Sequence, residues 1–228
     1  MIRRTVAMAA VLVSFAVPAF AQAHTGDISF TAGWTFSDGV SFTDTTINGV
    51  SLNRADPKDS VSFGLSGAFF TTDSVSIEFM WNRQKSKLEV TGSNGATVNP
   101  LGATYTGDMN VDNYHGYVLI HGGAADSKVR PFFMFGAGAT NFGDAKFPSH
   151  TLNGFSKFSF SMGAGVKIYP SPHAGFRAQV RWVPTYIKTD AVGWWCDPYW
   201  GYCGPAGNTQ YSNQFELSGG ITLRFGNK

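Results

Sequence analysis

From Gln214 to Phe225 the chain alternates without interruption: Phe215, Leu217, Gly219, Ile221, Leu223 and Phe225 fall on one face, Gln214, Glu216, Ser218, Gly220, Thr222 and Arg224 on the other. A period of two is that of an extended strand, so this segment presents an apolar face and a polar face to different surroundings. A soluble barrel or sandwich also alternates, but it rarely closes its chain on an aromatic of the apolar face with charges such as Glu216 and Arg224 opposite. A bilayer-spanning barrel demands that split, because its outside meets lipid and its inside is polar.

The start of the chain has a different grammar. Arg3 and Arg4 precede an apolar run from Thr5 to Val17, and Ala19-Phe20-Ala21 supplies a small-residue cleavage pattern. Together these predict a signal peptide over residues 1–21 and a mature barrel domain over 22–228, with Ala21-Gln22-Ala23 as a second cleavage pattern two residues later. The run is shorter than the roughly 20 residues an anchor helix needs, and no later apolar run is long enough for a helical span. Membrane contact is therefore assigned to strands or to the surface.

Composition agrees. The chain has 27 Gly, 20 Phe, 6 Trp and 8 Tyr with 14% charged residues, which favours strands over helices laced with charge pairs. A mean hydropathy of −0.08 is what half-apolar, half-polar strands produce. The net charge of +2, with scattered Lys and Arg, argues against nucleic acid as a partner. For an exported chain the two cysteines, Cys196 and Cys203, are expected as a disulfide. A metal is the competing reading, but six intervening residues and no His in the segment make a poor zinc pattern, and no cofactor is expected.

Seven more segments alternate: 27–37, 60–69, 75–82, around 113–121, 129–141, 157–168 and 176–182. The fourth is the least regular, and placing Tyr114, Gly116, Val118 and Ile120 outward puts His115 and His121 in the lumen. The connections alternate in length: long at 38–59, 84–112, 142–155 and 188–212, short at 71–74, 122–128 and 169–174. Short periplasmic turns and long extracellular loops are the signature of outer-membrane barrels. The prediction is an all-β, eight-stranded antiparallel up-and-down transmembrane barrel in the outer membrane of a Gram-negative-type bacterium.

The segments Val129-Arg-Pro-Phe-Phe-Met-Phe-Gly-Ala-Gly-Ala139, Phe160-Ser-Met-Gly-Ala-Gly-Val166 and Phe215 to Phe225 resemble those of the small outer-membrane β-barrel family to which OmpA-like and OmpX-like domains belong. The likeness spans Gln22 to Lys228. It implies contact with outer-membrane lipids, and with periplasmic chaperones and the barrel-insertion machinery, Phe225 being the insertion signal. Here Gly226, Asn227 and Lys228 follow that aromatic, where family members commonly end on it.

An eight-stranded barrel is just wide enough for side chains to fill it, which disfavours a diffusion pore. The residues available to do so are Lys167, Arg177, Arg181 and Arg224, expected to pair with Glu78, Glu216 and Asp27 in a lumen network that fixes strand register. The other use of these charges is a narrow water or ion path. In the last long loop Trp194, Trp195, Tyr199, Trp200 and Tyr202 surround the two cysteines, an aromatic knob that either packs on the barrel rim or contacts a partner, glycan or lipid headgroup. Ser149, His150 and Asn153 offer a nucleophile, a base and an orienting amide, but side chains this close in sequence seldom form a working triad. The sequence thus favours a non-catalytic barrel contributing to envelope structure and displaying long loops. A lipid A modifying enzyme and a soluble lipocalin-like barrel are the alternatives.

Overall fold

The computed structural model describes residues 25–47, 50–92, 106–146, 151–187 and 210–226. They form β1 (Gly26–Ser37), β2 (Val40–Ile47), β3 (Val50–Pro57), β4 (Ser60–Phe70), β5 (Val75–Gly92), β6 (Thr106–His121), β7 (Val129–Phe142), β8 (Ala145–Lys146), β9 (Thr151–Leu152), β10 (Phe155–Ile168), β11 (Ala174–Ile187) and β12 (Gln210–Phe225). Eight of these, β1, β4, β5, β6, β7, β10, β11 and β12, pair antiparallel in a ring. The ring is complete: the first and last strands pair, β1 against β12 from Gly26↔Phe225 to Ser37↔Gln214, and β5 pairs β6 from Val75↔Ile120 to Glu89↔Thr106. Closure leaves no barrel edge unpaired, which a strand structure in hydrocarbon requires.

The two faces sort as the alternation dictates. Outward, Phe30, Phe79, Phe135, Phe160, Phe176 and Leu217 stand exposed, Leu217 at 60%. Inward, Ser29, Thr31, Glu78, Gln179 and Thr222 are buried. Apolar outside and polar inside inverts a soluble core and identifies the outer solvent as lipid.

At one end of the barrel the connections are tight. In residues 71–74 the Thr72 hydroxyl accepts from the backbone N–H of Val75 at 3.0 Å, and in 122–128 Gly123 takes a φ of 80°, a conformation that favours glycine. At the other end the structure is more regular than the sequence suggests. The segment 84–112, expected as one long loop, is largely strand, since β5 continues to Gly92 and β6 begins at Thr106. The hairpin β2–β3 occupies the connection 38–59, β8 and β9 pair within 142–155, and β11 runs beyond Trp182 to Ile187. The reason is chemical. Beyond the lipid belt the outward residues turn polar, so the hydropathy alternation stops while the hydrogen-bonded ladder continues.

Glycines on the inner wall make room for the filling. A Cβ at Gly136 would lie 2.8 Å from Tyr117 Cδ1, and one at Gly165 would lie 2.6 Å from Phe132 Cζ. Large side chains from neighbouring strands cross the lumen over bare backbone at these points.

Candidate functional site

The lumen is built in levels. Nearest the tight turns, the buried carboxylate of Asp27 on β1 accepts from Lys167 Nζ at 2.9 Å, Tyr169 OH at 2.7 Å and Arg224 Nε at 3.3 Å. The Arg224 guanidinium lies 3.7 Å from the Tyr169 ring centroid, and Arg130 donates to the carbonyl of Asp73. His121, one of the two histidines expected in the lumen, is 2.9 Å from the hydroxyl of Ser76.

The next level is a forked ion pair. Arg177 donates to both oxygens of Glu78, at 2.6 and 2.8 Å, and its Nε to Gln179 Oε1 at 2.7 Å. Both charged side chains are 0% exposed. β11 and β5 lie on opposite sides of the ring, so this pair spans the barrel. Above it, Arg181 donates to Glu216 at 2.5 Å and to Tyr117 OH at 3.0 Å, and Tyr117 donates to Ser161 at 2.8 Å. A neutral level follows: Asn113 donates to Gln214 at 2.9 Å, Thr140 donates to Asn113 at 2.7 Å, and His115 Nε2 is 2.9 Å from Ser159.

At the loop end polarity gives out. Ala55, Leu88, Met109, Val111, Phe142 and Ala145 form a buried apolar cluster, with Phe155 stacked on Phe142 at 4.9 Å between ring centroids. Sequence reading missed this cap, because Leu88, Met109 and Val111 fell in a segment assigned to a loop. Their parity was the available signal, since each continues the inward register of its strand.

Outside the belt, Arg54 on β3 is held by Asp56 at 2.8 Å and Asp38 at 3.0 Å. The hydrogen bond that Arg54 donates to the Asp56 carboxylate raises its pKa above the ordinary guanidinium value. On the outer wall Arg83 grips Asp112 at 2.7 and 2.9 Å, and Trp81 Nε1 donates to the same carboxylate at 3.1 Å.

Of the residues singled out from sequence, Lys167 and Arg224 pair with Asp27, Arg177 pairs with Glu78 and Arg181 with Glu216, at three separate levels of the lumen, and Phe225 lies outward and exposed where β12 ends beside Gly26. Trp194, Trp195, Cys196, Tyr199, Trp200, Tyr202 and Cys203 lie outside the described residues, as do Ser149, His150 and residues 1–21. Among the described residues no His, Cys, Asp and Glu group could hold a metal ion, and no helix is long and apolar enough to cross a membrane.

Inward charge, outward hydrocarbon-facing aromatics and ring closure define an integral membrane barrel. The chain matches the model of the outer membrane protein beta-barrel domain over residues 7–225 and belongs to that family. It is a protein of the Gram-negative outer membrane, in contact with its lipids. Solved structures of other outer membrane barrels are similar in fold. The outer membrane protein OprG from Pseudomonas aeruginosa has a TM-score of 0.60 at 14% identity, over 90% of this chain and 97% of that one. Neisserial surface protein A has a TM-score of 0.53 at 12% identity, over 89% and 97% respectively. No curated protein sequence matches the chain.

Proposed function

We propose that this chain is a non-catalytic structural barrel of the outer membrane that stiffens the envelope and displays its long loops outside the cell. The observation that supports the reading is the succession of inward side chains: three levels of paired charge, a neutral hydrogen-bonded level and, at the loop end, a buried apolar cluster. Each level is held by side chains from several strands, which favours a fixed plug over a diffusion path.

The remaining parts follow from the sequence. Residues 1–21 are a cleaved signal peptide, and Phe225 is read by the insertion machinery after chaperone passage through the periplasm. Cys196 and Cys203 form a disulfide that rigidifies the aromatic loop, whose Trp194, Trp195, Tyr199, Trp200 and Tyr202 make surface or glycan contacts. The tight turns face the periplasm and the hairpin-bearing end faces outward.

Planar-bilayer recording of the refolded protein, with lipid A mass spectra from a deletion strain, tests the function. The expected result is no steady single-channel current and an unchanged acyl pattern. Steady currents would overturn the plug, and an altered acyl pattern would reveal an enzyme.

A further inference from the structure

The outer wall carries its cations in one place. Across the described outward positions of all eight barrel strands, the Lys and Arg residues are Arg83, Lys85 and Lys87, all on β5. They continue the outward register of Phe79 and Trp81 and begin one position beyond that aromatic. The ladder extends the pattern sideways. Directly paired residues point to the same side of a sheet, so Trp81 stands beside Tyr114, Arg83 beside Asp112, Lys85 beside Asn110 and Lys87 beside Asp108, and Asp108 in turn beside Lys146 of β8.

The rows differ in how their charge is used. Arg83 is neutralised by Asp112, and one step above the rows Glu89 is neutralised by Lys58 at 2.9 Å. Lys85, Lys87 and Lys146 are exposed and make no ion pair among the described residues, although Asp108 lies between two of them in register. With Lys58 included, five cations therefore meet three carboxylates, Asp108, Asp112 and Glu89, on one wall, immediately beyond the aromatic row that marks the end of the hydrocarbon belt. The outward positions of β10, β11, β12 and β1 at the same end offer Ser156, Tyr186, Asn213 and Phe36 and no cation. Successive outward side chains on a strand lie roughly 7 Å apart, a spacing at which two lysines can share one phosphorylated headgroup.

We propose that the β5–β6–β8 wall binds the phosphate groups of an outer-leaflet glycolipid, with Lys85, Lys87 and Lys146 as the phosphate contacts and Trp81, braced through Asp112, seating the sugar and acyl junction. The assignment rests on the hairpin-bearing end facing outward, and the anionic partner is a membrane lipid because the cations adjoin the lipid belt and not the loop tips.

The full chain, refolded in detergent and checked by its heat-modifiable gel shift, is to be titrated with bisphosphorylated and with dephosphorylated lipid A by native mass spectrometry. The phosphorylated form is expected to bind at least about tenfold more tightly, with roughly fivefold lost per lysine on changing Lys85, Lys87 and Lys146 to Ala. Changing all three to Arg keeps the preference, and Lys128→Ala, at the tight-turn end, leaves it unchanged. Equal binding of the two lipids, an unaltered preference in the folded triple Ala variant, or its erasure by millimolar inorganic phosphate would overturn the proposal. A loss confined to Lys128→Ala would overturn it by indicting the orientation instead of the charge matching.

Discussion

The lumen is filled in two ways by one sheet with one parity. In the membrane-embedded part the inward positions carry Asp27, Glu78, Arg177, Arg181 and Glu216, and beyond it the same registers carry Leu88, Met109, Val111 and Phe142. Ion pairs such as Arg177–Glu78 are directional, and a slip of one strand would separate the partners and strand a charge. The apolar cap is non-directional and needs only volume. The difference teaches where specificity can be placed: a charged level is sensitive to which strand lies across from which, whereas the apolar cluster beside the hairpins is sensitive to volume.

The sharpest way to break the comparison is Glu78→Gln, which leaves the Arg177 guanidinium buried without its countercharge. The expected loss is about 3–5 kcal/mol in urea unfolding from lipid vesicles, and the double change Glu78→Leu with Arg177→Met should recover most of it. If single and double variants were equally unstable, the pair would owe its effect to packing and the contrast with the cap would disappear. Leu88→Ala comes next, with an expected loss of about 3 kcal/mol in the same assay, while Leu88→Met costs under about 1.5 kcal/mol because a cap that needs volume tolerates a change of shape. The smallest effect is expected on the outer wall. Asp112→Asn breaks a pair whose Arg83 side chain is 42% exposed, and should change stability by no more than about 1 kcal/mol.

The barrel strands were legible because each carries a clean period of two between a lipid face and a lumen face. The inward charges were legible for the same reason: Glu78, Lys167, Arg177, Arg181, Glu216 and Arg224 occupy the face opposite the aromatics. The upper halves of β5 and β6 were not. After Trp81 the outward face reads Arg83, Lys85 and Lys87, and the inward face Gln84, Ser86 and Leu88, so hydropathy no longer separates the two sides and the strand looks like a loop. The hairpins β2–β3 and β8–β9 were hidden likewise, because their stability comes from pairing onto that extended wall.

What the sequence determined by itself was the number of crossings, the face each residue takes within the lipid belt and the end at which connections are tight. These are local properties of alternation and turn chemistry, readable one strand at a time. Only the tertiary structure decided which charges meet. Arg177 reaches Glu78 from the opposite side of the barrel, 99 positions away in sequence, and Asp27 gathers Lys167 and Tyr169 from the end of β10 and Arg224 from β12. Closure and stagger set those meetings, and both depend on all eight strands at once.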